Sequence, residues 1–268
     1  MSFLSVVFAC LAGFILISAD NLNNVLFNGD YEFIDLTHPF DNNTVYWLNT
    51  QSFVFTKKTE GNIINGNWYA SNEFAAGEHG GTHLDAPYHF FESGAHVGEL
   101  PLEKLIVPLI IVDISGKVNG DPNFVLYKHH LDYILNDNLG KPCVLIFKFG
   151  WSQYFGDRRK YLGLDEQKQT LNFPGLSGEM AEWITSSHKN VVGIGVDTAS
   201  VDPGSSQDYP VHQINAKHGL YHMENVNLSK PVPEYGCTAL VIPMKIAEGT
   251  GAPLRLVAIC PKKQPDKF

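Results

Sequence analysis

The chain lacks the features that mark several large classes of protein. It has no excess of basic residues, because 19 lysines and arginines stand against 28 aspartates and glutamates, and the formal net charge is -9. Nucleic-acid binding domains usually carry a basic patch, and no basic run here exceeds three residues, so we expect no nucleic-acid partner. No low-complexity tract or internal repeat occurs, which argues against solenoids and propellers.

Several catalytic motifs are also missing. No Gly-x-Ser-x-Gly nucleophile elbow, P-loop or Cys-x-x-Cys pair is present. A serine hydrolase of the α/β type, a P-loop nucleotide enzyme and a zinc ribbon are therefore not expected. Gly193 and Gly195 lack the rest of a dinucleotide fingerprint. Any enzymatic chemistry must come from other groups.

Cysteine is scarce, with four residues in the chain. Cys10 lies in the N-terminal apolar segment, which leaves Cys143, Cys237 and Cys260 for the rest of the protein. Three cysteines can form at most one intramolecular disulfide. Because Cys143 and Cys260 both sit in apolar runs, we expect them to be buried free thiols.

An apolar segment without charge occupies residues 3–17. It is short for a membrane span and typical of the hydrophobic region of a signal peptide. With small residues at Ser18 and Ala19 for cleavage, we predict a signal peptide over 1–19, a mature domain over 20–268, and a secreted protein with no membrane segment. An uncleaved N-terminal anchor is the alternative, because no Lys or Arg precedes the segment. In the secretory pathway Asn42 and Asn227, each in a sequon, could carry glycans.

Short apolar runs alternate with amphipathic stretches along the mature chain. Four runs rich in Val and Ile suit strands that are covered on both faces: 109–112, 143–147, 191–196 and 239–242. Further strands are expected over 31–36, 53–56 and 68–70, and helices over 127–135 and 177–187, the second capped by Ser177. The alternation predicts a single α/β domain with a mixed sheet. The isolated His38, His96 and His188 are expected on the surface.

Histidine is concentrated in the segment HGGTHLDAPYHF, residues 79–90. Gly80, Gly81 and Pro87 argue against a helix there. In an extended chain His83 and Asp85 point to the same side, about 6.6 Å apart, and the two glycines can curl the chain to bring His79 round. Two imidazoles and a carboxylate form a plausible set for Zn²⁺ or Mn²⁺, with positions left for water.

A second group of polar residues lies further along the chain. His212, His218, His222 and Glu224 follow the segment GVDTASVD, in which a predicted strand ends in Asp197, Thr198, Ser200 and Asp202. Polar residues at the end of a strand in an α/β sheet are a common place for a site. Turn and capping roles are the alternative for these residues.

The segment HGGTHLDAPYHF resembles the H-x-G-T-H-x-D-x-P-x-H signature of the cyclase family of metal-dependent hydrolases, which includes kynurenine formamidases and isatin hydrolases. Further blocks resemble the family in the same order: FIDLTHPF, FGW, FPGLS, GVDTASVD, ENVNL and GTGAPLR. The resemblance spans about residues 31–258. It implies a single α/β domain of the swivelling β/β/α type, with members that are commonly dimers.

The resemblance also implies roles for individual residues. His79, His83 and Asp85 match the first metal site, and His89 matches the catalytic histidine that donates and accepts protons. In two-metal members the aspartate bridges to a second ion, for which His212 and Glu224 have the matching spacing. The cofactor is thus one or two divalent ions, Zn²⁺ or Mn²⁺.

The activity implied by the resemblance is hydrolysis of a C–N bond in a small amide or lactam, such as N-formylkynurenine or isatin. Trp47 and Trp151 could stack on an aromatic substrate, with core packing as their alternative, and Ser200 is a candidate substrate contact. A lactonase or dehydratase using the same site is one rival function. A secreted metal- or ligand-binding protein without turnover is another, but binding alone does not need His89.

The N-terminal segment leads to a prediction about processing. When the gene is expressed in cells that secrete the protein, the mature N-terminus should lie near Asp20, because a signal peptidase would cut after Ser18-Ala19. Mass spectrometry of the purified protein measures this directly. A cytosolic product that retains Met1 would contradict it.

Overall fold

The computed structural model describes residues 22–131, 141–168 and 170–262. Within them, eight strands form one mixed sheet in the order β1-β12-β11-β5-β7-β9-β10-β4. The strands of the described residues are β1 Tyr31–Asp35, β2 Val54–Ile64, β3 Asn67–Ala75, β4 His83–Asp85, β5 Ile106–Asp113, β6 Val125–Leu126, β7 Cys143–Lys148, β8 Gly175–Leu176, β9 Val191–Val196, β10 Tyr221–Glu224, β11 Cys237–Pro243 and β12 Gly251–Pro261. The α-helices in the same residues are α1 Leu22–Phe27, α2 Leu102–Leu105, α3 Ser115–Val118, α4 Arg158–Leu162, α5 Gly178–Ser187 and α6 Pro210–Lys217.

The long strand β12 closes the sheet into a barrel. Its first residues pair with β4, Gly251 lying opposite Asp85, while its later residues pair with β11 and with β1. Since β4 also pairs with β10, seven strands form a complete circuit and β1 is added at the edge. Closure leaves few unpaired backbone groups at sheet edges.

The apolar residues form two cores because side chains alternate along each strand. On β5, Leu109 and Ile111 belong to one buried cluster, whereas Ile110 and Val112 belong to the other. The first cluster draws on every strand of the barrel and fills its interior. The second also contains residues of α5, so it joins the sheet to the helices. The expected coverage of both faces is confirmed for the runs 109–112, 143–147 and 191–196. It is wrong for 239–242, because alternate residues of β11 are partly exposed and Ile242 is exposed.

Most of the expected elements are present, and the mixed α/β fold in a single domain is confirmed. Ser177 caps α5 by accepting a hydrogen bond from the backbone N–H of Met180. The helix expected over 127–135 is replaced at its start by a short 3-10 turn, Lys128–His130, and residues 132–140 lie outside the described residues. No helix in the described residues is long and apolar enough to cross a membrane. The predicted signal segment, 1–19, lies outside them, and the finer assignment to a swivelling β/β/α type stays a prediction.

The expectation of a free thiol at Cys260 is wrong. Cys237 on β11 and Cys260 on β12 form a disulfide, with Cα atoms 4.3 Å apart. The antiparallel register places these two residues directly opposite each other, and no sequence pattern reveals that register. Cys143 is a buried free thiol, as expected.

The surface positions expected for two isolated histidines are also wrong. His38 and His188 are buried. The His38 ring stacks on Phe155 with ring centres 3.6 Å apart, and burial lowers its pKa to about 4. An isolated histidine in a sequence does not reveal such an aromatic partner.

Strands β2 and β3 form a separate hairpin whose side chains are largely exposed. Six of its exposed residues are large and apolar: Val54, Phe55, Ile64, Trp68, Tyr69 and Phe74. Two-stranded hairpins are marginally stable alone in water. The two ends of the hairpin lead into segments that contribute residues to the lining of the cavity described below: Val45, Tyr46, Trp47 and Thr50 before it, and Glu78 and His79 after it.

Asp197 ties the loop after β7 to the end of β9. Its buried carboxylate accepts hydrogen bonds from the backbone N–H groups of Phe149 at 2.7 Å, Trp151 at 2.7 Å and Ser152 at 3.2 Å. The hydroxyl of Ser152 is also 3.3 Å from it. Without the carboxylate the three backbone N–H groups would lose their acceptor, whereas the Ser152 hydroxyl would keep its bond to the Val226 carbonyl at 3.0 Å.

Replacing Asp197 by Ala should therefore lower the free energy of unfolding by about 3 kcal/mol, since buried donors without partners are costly. Urea-induced unfolding followed by circular dichroism measures this. The exposed Asp208 provides a matched control, and Asp208→Ala should change stability by less than about 0.5 kcal/mol. Equal effects of the two substitutions would contradict this role of Asp197.

Candidate metal centre

The pairing of β4 with β10 assembles most of the site. His83 lies opposite Glu224 and Asp85 lies opposite His222, so the four side chains share one face of the strand pair. Leu84 and Met223 lie between them and point into the barrel core instead. All four polar side chains are buried. Alternation along two short strands thus places two imidazoles and two carboxylates side by side.

A left-handed residue brings His79 to the same place. Gly81 has a φ of +55°, and a Cβ there would collide with Phe40 and Thr44, so glycine is required both for the conformation and for the packing. The turn carries the His79 ring to Asp85, where Nδ1 lies 2.6 Å from Oδ1. The expected curl at the two glycines is what the structure shows.

A further imidazole of the site comes from α6. His212 lies in the first turn of this helix, and its Nδ1 donates to Asp202 at 2.7 Å. Asp202 also accepts from the backbone N–H groups of Val211 at 3.0 Å and His212 at 3.1 Å. The carboxylate of Asp202 therefore caps the helix and fixes the imidazole at once.

Three histidines each have one ring nitrogen held by an acceptor and the other directed into the site. The held nitrogens are His212 Nδ1 on Asp202, His83 Nδ1 on the Gly81 carbonyl at 3.0 Å, and His79 Nε2 on the Thr250 hydroxyl at 2.8 Å. Carboxylates and carbonyls only accept, so the protons of His212 and His83 lie on the held nitrogens. The opposite nitrogens are left to act as acceptors or ligands.

These opposite nitrogens converge on Asp85 and Glu224. His79 Nδ1 contacts Asp85, as described above. His83 Nε2 lies 3.1 Å from Asp85 Oδ1 and 3.5 Å from Glu224 Oε2. His212 Nε2 lies 3.4 Å from Asp85 Oδ2 and 3.2 Å from Glu224 Oε1. Among the described atoms, buried His83 Nε2 and Asp85 Oδ2 have no hydrogen-bond partner. Acceptors that face each other across a buried space require a cation or protons between them.

The charge of the residues that line the cavity also favours a bound cation. No Lys or Arg is among the described residues that line it, whereas Glu78, Asp85 and Glu224 are. Burial alone would lower the pKa of His83, but the charge of Asp85 raises it to about 9. The pKa of His212 is likewise raised, against burial, by its bonds to Asp202, Asp85 and Glu224. The carboxylates therefore stabilise positive charge at this place.

The donor set fits a divalent metal ion. One ligand atom each from His79, His83 and Asp85 lie within 4.8 Å of one another. A second group with the same spacing contains Asp85, His89 and His212. Asp85 belongs to both groups, with Oδ1 facing His79 and His83 and Oδ2 facing His212. Nitrogen and oxygen ligands of this kind suit Zn²⁺ and Mn²⁺.

His89 lies at the edge of this cluster, in the 3-10 turn Pro87–His89 that follows β4. Its ring stacks on His79 with centres 3.9 Å apart and remains open to the cavity. Partial withdrawal from water lowers the pKa of His89 to about 4, so the ring is neutral at neutral pH. Its position allows either a proton-transfer role or metal ligation.

A cavity of about 350 Å³ opens in front of the cluster. Its walls carry Trp47, Phe90 and Tyr209. The Tyr209 ring contacts Trp47 edge-on at a centre distance of 6.4 Å and Phe90 in a tilted arrangement at 5.7 Å. Ser200 and Asn225 add polar groups to the lining. Such a pocket suits a small flat molecule with a few polar atoms.

Two residues singled out in the sequence lie elsewhere. Trp151 is buried in the apolar core, outside the cavity lining, and donates from its indole N–H to the Tyr161 carbonyl at 2.8 Å, which is the placement that its core-packing alternative predicts. His218 is exposed and bonds the carbonyl of Ile214 at the end of α6. Trp47 and Ser200 do line the cavity.

Other residues of the site were missed by the sequence analysis. His222 was grouped in the second cluster without a role, and it is buried with Nδ1 3.8 Å from Asp85 Oδ2. Thr250, which contacts His79, and Glu78, which contacts Thr250, were not singled out at all. The position of Thr250 in the block GTGAPLR was an available signal, whereas Glu78 and His222 lie outside the blocks that resemble the family.

Comparison with known proteins identifies the family. The model of the Cyclase family, described as "Putative cyclase", matches residues 34–203. The chain belongs to the Cyclase family. An isatin hydrolase of Roseibium aggregatum is 28% identical over 254 residues, which are 88% of this chain and 95% of that protein. A kynurenine formamidase of Bacillus cereus is 26% identical over 230 residues, 84% of this chain and 96% of that protein.

Solved structures show the same fold. Isatin hydrolase A from Ralstonia solanacearum superposes with a TM-score of 0.79 at 26% identity, covering 89% of this chain and 95% of that one. An isatin hydrolase bound to the product analogue thioisatinate gives a TM-score of 0.78 at 25% identity, covering 90% and 97%. The relatives of this Cyclase-family chain are hydrolases, and its fold is that of the isatin hydrolases.

Proposed function

We propose that the protein is a metal-dependent hydrolase that cleaves a C–N bond in a small aromatic amide or lactam. The observation that carries the proposal is the convergence of His79 Nδ1, His83 Nε2 and His212 Nε2 on the carboxylates of Asp85 and Glu224. Similarity to isatin hydrolases and kynurenine formamidases supports the type of bond and makes isatin and N-formylkynurenine the first substrates to test.

His79, His83 and Asp85 would hold the first ion, and Asp85, His212 and Glu224 a second where one binds. A divalent ion held by these residues would lower the pKa of water and polarise a carbonyl group. The outer hydrogen bonds of the histidines to Asp202, Gly81 and Thr250 would fix the rings for ligation. Zn²⁺ and Mn²⁺ both suit this set of ligands.

His89 is the proton-transfer group in this proposal. Neutral and open to the cavity, it accepts the proton of the attacking water and returns it to the leaving nitrogen. The aromatic walls formed by Trp47, Phe90 and Tyr209 hold the ring of the substrate over the cluster. Ser200 contacts a polar atom of the substrate.

The roles of Asp85 and His89 can be separated by substitution. Asp85→Ala should remove metal and activity together, because the lost charge balances a divalent cation among imidazoles. His89→Ala should keep most of the metal and lower kcat by roughly 10²- to 10⁴-fold, the usual contribution of general acid–base catalysis. Elemental analysis and kinetics on the same samples measure both effects, with isatin and N-formylkynurenine as substrates.

The control is His129→Ala, at an exposed residue, which should behave as the unmodified protein. Full turnover by His89→Ala would refute its proton-transfer role. Loss of metal from His89→Ala would make it a ligand, as its distances to Asp85 and His212 allow. Metal retained by Asp85→Ala would refute the first site.

A second ion is tested through Glu224. If His212 and Glu224 complete a second site, the protein should bind two equivalents of metal and Glu224→Gln about one, because an amide is a weaker ligand than a carboxylate. Equilibrium dialysis with metal analysis gives the stoichiometry. The exposed Glu234 supplies the control Glu234→Gln, which should still bind two. One equivalent in both the unmodified protein and Glu224→Gln would exclude the second site.

We also propose that the protein is secreted and that it forms a homodimer. The buried Cys237–Cys260 disulfide supports secretion, because such bonds persist in oxidising compartments. The exposed apolar hairpin β2–β3 supports self-association, because contiguous apolar surface usually marks an interface. Its link to the cavity walls would place a subunit contact near the site.

Light scattering should accordingly give a mass near twice that of one chain. Trp68→Glu, at the most exposed aromatic of the hairpin, should shift the mass toward one chain, whereas Leu102→Glu on α2 should not. A monomer in the unmodified protein would contradict the dimer.

A further inference from the structure

Behind His79 lies a chain of hydrogen bonds that ends on a carboxylate. His79 Nε2 lies 2.8 Å from the Thr250 hydroxyl, and that hydroxyl donates to Glu78 Oε2 at 2.7 Å. We propose that Thr250 and Glu78 are positioning residues that fix the proton of His79 on Nε2 and so leave Nδ1 free to bind a metal. This inference rests on the proposed metal-dependent function.

The direction of each bond follows from the donors available. An ionised carboxylate only accepts, so the single hydroxyl proton of Thr250 points to Glu78. The hydroxyl oxygen must then accept from His79, which requires the proton on Nε2. In a neutral ring the lone pair is then on Nδ1, which lies 2.6 Å from Asp85 Oδ1. These two atoms would be ligands of the same ion.

The acceptor end of the chain is itself held in place. Glu78 Oε2 also accepts from the backbone N–H groups of Thr250 at 3.0 Å and Gly251 at 3.4 Å. Gly251 begins β12 and lies opposite Asp85. A Cβ at Gly251 would collide with the His79 ring, so the backbone closes directly over one edge of the imidazole. The strand that closes the barrel therefore orients both His79 and its hydrogen-bond partner.

Each of the three converging imidazoles then has an outer partner of a different kind. His212 is held by a carboxylate and His83 by a backbone carbonyl, whereas His79 reaches its carboxylate through a hydroxyl. Removing this hydroxyl frees the His79 ring to carry its proton on Nδ1 and to turn about its side-chain bonds. Removal of such outer partners typically weakens metal binding by about 10- to 100-fold.

The test uses the full-length protein stripped of metal with a chelator. Zn²⁺ is titrated into it in competition with a chromogenic chelator, for the unmodified protein, Thr250→Val, Thr250→Ser and Thr185→Val. Valine keeps the shape and the backbone N–H of Thr250 but removes the hydroxyl, and serine keeps the hydroxyl. Thr185 lies on α5, where its hydroxyl donates to the carbonyl of Ala181 in the same helix. It is the matched control.

We expect Thr250→Val to bind the first Zn²⁺ about 10- to 100-fold more weakly, and Thr250→Ser and Thr185→Val to bind it as the unmodified protein does. The melting temperature of metal-free Thr250→Val should match that of metal-free Thr185→Val, which a purely structural role would not allow. Unchanged affinity in Thr250→Val, or weaker affinity that serine does not restore, would overturn the positioning role alone. Absence of Zn²⁺ binding by the unmodified protein would overturn the proposed function as well.

Discussion

Imidazole lone pairs that face buried carboxylates are the constraint on which the site depends. His79, His83 and His212 each direct one nitrogen at Asp85 or Glu224, within 2.6–3.5 Å. In a low-dielectric interior, such an arrangement is unfavourable unless positive charge lies between the groups. Protons on His83 and His212 can supply that charge, and a metal ion can replace them. The binding of a divalent cation is therefore the simplest account of why these groups are buried together.

The barrel supplies the rigidity that this arrangement requires. Strand β4 is three residues long, yet it is paired on one side with β10 and on the other with β12. Leu84 anchors it in the barrel core, so His83 and Asp85 are fixed on the opposite face. The α6 helix and Asp202 then place His212 against Asp85. Sites carried on strands and helices hold their geometry better than sites on loops.

The parts of the site that lie close together in sequence could be predicted from it. The spacing of His79, His83 and Asp85, with glycines between the first two, indicated a curled segment with converging side chains. Residues brought in by strand pairing could not be derived in this way. Glu224 lies opposite His83 only because β10 is antiparallel to β4, and Thr250 reaches His79 only because β12 closes the barrel. The matching spacing of His212 and Glu224 came from the family resemblance.

The errors have the same origin. Cys260 was expected to be free because its partner, Cys237, is set by the register of two antiparallel strands. Trp151 was a candidate for substrate stacking with core packing as its alternative, and only the fold shows that its indole N–H donates to the Tyr161 carbonyl in the core. The apolar runs predicted β5, β7 and β9 well because these strands are covered on both faces. They contain no information on which polar residue will meet which across the sheet.

X-ray absorption at the metal edge tests the central claim most directly. After Zn²⁺ is added to the metal-free protein and excess ion is removed, the spectrum should show nitrogen and oxygen ligands at about 2.0–2.2 Å, with the outer scattering of at least two imidazoles and no sulfur. Sulfur at about 2.3 Å would place the ion on a cysteine. Either that result or the absence of retained zinc would contradict a metal centre on His79, His83 and Asp85.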